Sequence, residues 1–214
     1  MSAIITIAKY FDEGELLRIM NSTNGIITVF AGSASRPFAQ KMCDYLGVEL
    51  GKSTTHIFSE GGIYVRADES IRNKDVYIVQ SIGKDPNNAF TELIFWIDAF
   101  KRASANSITA IIPYFGYAKA DKKDEPRVSI RARVCADCIE MCGADRVVTM
   151  DLHAAQVQGF FSKPVDHLYA SALLCEYARH LGIVNENLVV VSPDAGSAKR
   201  ARAYANILGC NVAI

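Results

Sequence analysis

A carboxylate and an imidazole two residues apart, Asp151 and His153, stand where the β-branched run 147–149 gives way to a polar stretch. On an extended backbone such a pair points to one side, and the end of a buried strand is where open α/β sheets place their ligands. The pair can therefore present an acid and a base to one crevice. It fits a structural role equally, with Asp151 capping the next helix and His153 a hydrogen-bonded polar residue beneath it. A second strand exit of this kind is VSPDAG, 191–196, where Asp194 precedes backbone N–H groups free to receive an anion or simply caps a helix. A carboxylate edge that faces phosphates suits Mg2+, which prefers oxygen ligands, keeps several waters and completes its octahedron with substrate oxygens; His153 is a softer partner for it. Between these exits, 116–127 sets Lys119, Lys122, Lys123 and Arg127 against Asp121, Asp124 and Glu125. Such a loop can close over phosphates, and it can equally be a solvated surface loop. Lys199, Arg200 and Arg202 add cations beyond Asp194.

These residues need strands to deliver them, and the apolar periodicity supplies a repeating pattern. It predicts a strand at 26–30, a turn at 32–35 with Ser35 as cap, and a helix at 37–46 closed by Gly47. Two short extended pieces, 56–58 and 63–66, around the turn SEGG predict a hairpin flag. Regular alternation follows: strand 76–80, helix 89–103, strand 108–112 ending at Pro113, loop 116–127, helix 129–141 ended by Gly143, and strand 147–149. Helix 171–181, strand 188–192, helix 196–208 closed by Gly209 and a strand opening at 212 complete the order. Strands alternating with helices of ten or more residues imply an α/β fold, a parallel sheet with helices on both faces. The expected organisation is an N-terminal extension at 1–24, an α/β domain at 25–168, and at 169–214 the beginning of a second α/β domain left incomplete, because the chain stops in mid-strand at Ile214.

Lysine plus arginine equals aspartate plus glutamate, 23 against 23, so no global field directs the chain to nucleic acid or an anionic membrane. Apolar runs fall far short of the roughly 20 residues that span a bilayer, and Asp12, Glu13 and Glu15 interrupt any leader; the expected location is the cytoplasm. The six cysteines then read as reduced, small, buried groups. Cys135, Cys138 and Cys142 have a spacing reminiscent of an iron–sulfur site, but steps of three and four are also one face of a helix, which is the preferred reading.

The blocks TMDLHAAQVQGFF (149–161) and VVSPDAGSAKR (190–200) resemble signatures of the ribose-phosphate pyrophosphokinase family. The resemblance extends from about residue 26 to 214 through FAGSA (30–34), FSEG (58–61), ESIR (69–72), KDVYIVQS (74–81) and IPYFGYA (112–118), in family order. It implies phosphoribosyltransferase-like α/β domains with the active site between them. The implied reaction is attack of the anomeric hydroxyl of ribose 5-phosphate on the β-phosphorus of ATP, giving 5-phosphoribosyl 1-diphosphate and AMP, with Mg2+ as cofactor. By resemblance His153 and Asp194 are catalytic and bind metal, and Phe58, Glu60, Lys119 and Asp124 contact ATP along with His153. Phe58 would act in trans, on a flag reaching a neighbouring subunit of a dimer-based homo-oligomer that extends to a hexamer. Ser70, Arg72, Gln158 and Asp166 would form a regulatory phosphate site. The chain departs from the pattern at Glu60 (aspartate or asparagine in the family), Gly62 (glutamate), Lys119 and Ala120 (arginine and glutamine), Ala155 (serine) and His167 (asparagine). The family's mobile catalytic loop and its acidic sugar-phosphate loop belong beyond Ile214, and the chain has no adjacent pair of aspartates. The rival reading is a non-catalytic relative that assembles with active subunits and regulates them.

Overall fold

The structure, a computed structural model, describes residues 27–214, so the extension expected at 1–24 lies outside the described residues. The chain order is β1 (Ile27–Ala31), α1 (Arg36–Leu46), β2 (Ser53–Ile57), β3 (Ile63–Ala67), β4 (Asp75–Val79), α2 (Pro86–Arg102), β5 (Ser107–Ile112), α3 (Arg131–Cys142), β6 (Arg146–Met150), β7 (Val165–Leu168), α4 (Ser171–His180), β8 (Val189–Val191), α5 (Ala198–Leu208) and β9 (Asn211–Ala213). Short 3-10 turns occupy Ser33–Ser35, Ala155–Phe160 and Ala195–Ser197. The described residues fall into two compact units that divide after Leu168.

In the first unit the strands pair in the order β1-β4-β5-β6-β7, every pair parallel. Alternation along each strand sends side chains to two cores. Phe30, Val76, Ile78, Ile108, Ala110, Ile112 and Val147 face α2 and α3, where Leu93, Trp96, Phe100, Cys135 and Ile139 meet them. Val29, Ala31 and Val79 face Ala39 and Cys43 of α1 on the other side. Helices thus cover both faces of a parallel sheet, the α/β class that the alternation implies. Strand β7 is an addition to the sequence reading. Its four residues are all half-buried and two are polar, so it has no apolar run to announce it, and it pairs as the last strand on β6.

Two local expectations change. Ser35 does not cap α1 with its side chain; its hydroxyl accepts the Ser81 N–H at 2.7 Å and ties the turn after β1 to the exit of β4. The extended pieces of the hairpin are longer than read, Ser53–Ile57 against Ile63–Ala67, and form a separate antiparallel ladder. The base of this hairpin packs on the main core through Val65 and Ala67, while Phe58 at its tip is 45% exposed.

A buried carboxylate joins hairpin, sheet and helix. Glu92 of α2 is 2% exposed and accepts from the Ser33 N–H (2.9 Å), the Gln80 amide (2.8 Å), the Thr55 hydroxyl (3.2 Å), the Trp96 indole N–H (3.3 Å) and the Ser33 hydroxyl. Gly32 lets this cluster close, since a Cβ there would lie 2.4 Å from the Gln80 amide oxygen.

The three cysteines of α3 lie on the helix that their spacing implies, and all six thiols are free. Burial pushes Cys135 up to about 12, so it is a thiol at neutral pH, without the thiolate character that metal binding and alkylation require. A thiol reagent at pH 8 should label Cys138 and Cys210 in the folded protein and reach the buried Cys43, Cys135 and Cys175 only on unfolding. Rapid native labelling of Cys135 would contradict this packing.

The second unit pairs β8 with β9 in parallel beside α4 and α5, with Leu173, Cys175, Ala201 and Ala205 buried. No helix of the described residues is long and apolar enough to cross a membrane.

Candidate active site

Strand β6 ends at Met150, and the chain turns at once: Asp151 has φ +44°, left-handed backbone that a non-glycine residue adopts at a cost of about 1–2 kcal/mol. Two hydrogen bonds to β7 hold the turn. The Asp151 N–H donates to the Leu168 carbonyl and the Leu152 N–H donates to His167 Nε2, each at 2.9 Å. Leu152 is buried, and Asp151 and His153 on either side of it are exposed. The extended geometry therefore stops, yet the alternation survives the turn. Asp151 does not cap the following 3-10 turn, whose N-cap is Ala154 with no side-chain cap bond. His153 makes no hydrogen bond or ion pair among the described residues.

His167 is the support beneath this turn. Burial pushes its pKa below the ordinary histidine value, and the Asp151 carboxylate works in the opposite direction. With Nε2 accepting, the neutral ring carries its proton on Nδ1; the Gln158 amide nitrogen 3.3 Å away donates to the Ala155 carbonyl at 2.9 Å and packs beside the ring without accepting that proton.

The neighbouring strand β5 exits into the cationic loop. Its base is fixed by the parallel bridge between Ile82 and Phe115, and Gly116 is required there, since a Cβ would sit 2.2 Å from the Ile82 carbonyl oxygen. Further along, the Ala132 N–H donates to the Ala120 carbonyl at 3.2 Å, which holds the first turn of α3 against the loop. The Gln156 amide donates to Asp121 at 3.0 Å and joins this loop to the segment that carries His153. A cleft of about 430 Å³ opens here, lined in part by Lys119, Ala120, Lys122, Asp124, Ser129 and Arg131. Three cations against one carboxylate make it locally basic in a chain of zero net charge. Lys119 and Asp124 are thus brought together; Arg131 was missed by the sequence reading, although its place at the start of the helix after a cationic loop was the available signal.

Phe58 and Glu60 lie on the hairpin and do not line that cleft. The Phe58 ring meets His56 edge-on at 4.9 Å, and the Ser59 hydroxyl donates to Glu60 at 3.3 Å. Glu60 Oε1 stands 3.7 Å from where a Cβ on Gly62 would be, so a carboxylate occupies the neighbourhood of the side chain that Gly62 lacks.

In the second unit Asp194 follows β8 and caps the turn Ala195–Ser197. Its Oδ1 accepts the Ser197 N–H at 2.7 Å, while the Ser192 hydroxyl donates to its carbonyl oxygen at 2.7 Å. The capping alternative is realised through Oδ1; Oδ2 makes no hydrogen bond among the described residues. No three His, Cys, Asp or Glu side chains gather into a metal cage among the described residues. His153 in the first unit offers an exposed imidazole and Asp194 in the second one carboxylate oxygen, each a single donor of the kind an ion that keeps water and binds phosphate oxygens can take.

Of the residues expected at a regulatory site, Ser70 and Arg72 are exposed on either side of buried Ile71, ahead of the amino end of β4. Gln158 follows the carboxyl end of β6 against His167, and Asp166 pairs with Arg146 at 2.8 Å. Within this chain the first two stand at the opposite end of the sheet from Gln158.

Charged loops at adjacent exits of an all-parallel sheet define an α/β domain, with its polar residues at the strand ends where such sheets place their ligands. The family model for the N-terminal domain of ribose phosphate pyrophosphokinase matches residues 27–143, more than half of the chain, and the chain belongs to that family. It is 50% identical over 195 residues to a ribose-phosphate pyrophosphokinase of Porphyromonas gingivalis, covering 91% of this chain and 61% of that one. It is 44% identical over 203 residues to a chloroplastic ribose-phosphate pyrophosphokinase 2 of Arabidopsis thaliana, covering 95% and 51%. A crystal structure of phosphoribosylpyrophosphate synthetase from Mycobacterium smegmatis superposes with a TM-score of 0.82 at 42% identity, over 87% of this chain and 62% of that one. The chain thus spans between half and two thirds of the length of these relatives.

Proposed function

We propose that the full-length protein transfers the diphosphoryl group of ATP to the anomeric hydroxyl of ribose 5-phosphate. The observation that carries this reading is the junction of the His153 segment and the basic cleft at neighbouring strand exits, in a chain of this family. The anomeric oxygen bonds to the β-phosphorus, the bond from that phosphorus to the α,β-bridging oxygen breaks, AMP departs with that oxygen, and the hydroxyl proton passes to solvent. Lys119 and Lys122 hold the triphosphate as point charges, and Asp124 assists in seating the nucleotide. His153 and Oδ2 of Asp194 would hold Mg2+, which when bound neutralises charge on the polyphosphate. Positioning by these groups supplies most of the remaining catalysis.

The exposed Phe58 tip belongs on the adenine of a neighbouring subunit, since a short hairpin tip has little core of its own. The assembly is a dimer-based homo-oligomer in the cytoplasm. Residues 25–168 serve as one α/β domain, and 169–214 belong to a second. Ser70 and Arg72 would join Gln158 and Asp166 in a regulatory phosphate site across subunits, given their separation within one chain.

The test is an assay of the full-length protein with ATP, ribose 5-phosphate and Mg2+, following AMP and the diphosphate product. Production of both supports the proposal, and binding of substrates without turnover would favour the regulatory rival. Nucleotide choice should be loose. Lys119 lacks the planar fork of arginine, Ala120 has no amide, and Glu60 is an exposed stand-in at the hairpin tip. Competition of ATP against GTP and CTP should give discrimination of roughly 10- to 200-fold, with Gly62→Glu raising it. A preference of a thousandfold in the unaltered protein would refute the loose pocket.

A further inference from the structure

Between the strained turn and the site stands a residue that the reaction does not use directly. The left-handed backbone at Asp151 persists only if its surroundings over-determine it. What surrounds it is β7, through the Leu168 carbonyl on the Asp151 N–H and His167 Nε2 on the Leu152 N–H. The first of these is a backbone bond that any residue at 168 could supply. The second depends on the side chain at 167.

We infer that His167 is a positioning residue for His153. Its Nε2 fixes the Leu152 N–H, and with it the step that turns Leu152 into the core and leaves His153 exposed at the strand exit. The inference rests on the proposed role of His153. Two features support it. The Leu152 side chain is 7% exposed, so its own packing resists the rotation that loss of the hydrogen bond would permit, and backbone and side chain enforce one geometry. Finally, the contact spans 15 residues and joins the exit of β6 to β7, so it fixes His153 relative to the sheet rather than to its own loop.

Reach makes the idea testable. The amide oxygen of glutamine overlies the place of Nε2, whereas that of asparagine lies near Nδ1, facing Gln158 and short of the Leu152 N–H. In the full-length protein His167→Phe, which keeps a ring and removes the acceptor, should lower kcat about tenfold, since misplacement of a catalytic group by even 1 Å is costly, and should leave the KM for ATP within about threefold. His167→Gln should recover kcat to within about threefold of the unaltered protein, and His167→Asn should not. Melting temperatures and the kinetics of His153→Ala are measured alongside. If His153→Ala is inactive while His167→Phe has normal kcat, the positioning role is overturned and the function of the site stands. If His153→Ala is itself fully active, the reading of the site falls and the role of His167 falls with it. Should His167→Phe fail to fold, Gln against Asn decides, and equal activities in those two variants overturn the inference.

Discussion

His153→Ala and Asp194→Ala should each lower kcat of the full-length protein by about 10²- to 10³-fold, on the order of 3–4 kcal/mol of transition-state stabilisation. The size follows from their place: each is exposed at a strand exit, so neither supports a core, and each would hold the ion that screens the transferring phosphoryl group. Asp194 needs a second variant, because its Oδ1 also caps a turn through the Ser197 N–H. Loss of a cap costs about 0.5–2 kcal/mol of stability, and that alone could depress activity. Asp194→Asn separates the two roles, since an amide oxygen still accepts from Ser197 while the negative charge is gone. If the carboxylate works as a ligand, Asp194→Asn loses nearly as much activity as Asp194→Ala and melts close to the unaltered protein. Near-normal activity in Asp194→Asn would reduce Asp194 to a cap, and near-normal activity in His153→Ala would remove it from the site.

What could be read in the residues before any coordinates divides by distance along the chain. The helices α1, α3 and α5 end at Gly47, Gly143 and Gly209, which take φ of 67°, 119° and 71°, as their local stop signals imply. The parallel strands announce themselves by short β-branched runs buried on both faces. Strand β7 was hidden because Val-Asp-His-Leu at the end of the sheet sets two polar residues between two apolar ones, with neither an apolar run nor an alternation. Ser35 was given the local role of a cap when its hydroxyl reaches 46 residues along the chain to Ser81, and no local pattern records that. The same limit hid His167. Its substitution for asparagine was visible in the resemblance, but its bond to Leu152 exists only once β6 and β7 lie side by side. Within the site, Lys119 and Asp124 were found by resemblance, and their convergence with Arg131 is a product of the fold of the loop onto α3.

Glu92→Ala should destabilise the protein by more than 3 kcal/mol, which for a chain of this size is a drop of about 10 °C in Tm. Glu92 lies on the apolar stripe of α2, three residues after Ala89 and four before Trp96, where a carboxylate is out of place unless something satisfies it. The donors arrive from far along the chain: Ser33, Thr55 and Gln80 stand 59, 37 and 12 residues away, and only Trp96 is local. No cation is among them. Truncation leaves the Gln80 amide and the Trp96 indole without this acceptor in the interior, and the Ser33 N–H without it nearer the surface; each buried unpaired donor costs about 1–3 kcal/mol. Glu92→Gln should be milder, because Oε1 keeps the Ser33 N–H, Thr55 and Trp96 donors and the Ser33 hydroxyl can rotate to accept from the new amide, so that only the Gln80 amide loses its acceptor. Glu92→Leu should resemble alanine, since filling the volume restores no acceptor. The variants would also loosen the hairpin, whose Thr55 hydroxyl bonds the same carboxylate, so amide exchange in residues 53–57 should accelerate more than in β5. Urea unfolding of the three variants measures the order Ala and Leu well below Gln. A loss under about 1 kcal/mol in Glu92→Ala would mean that these donors find other acceptors, and that the carboxylate is not what binds the hairpin to the sheet.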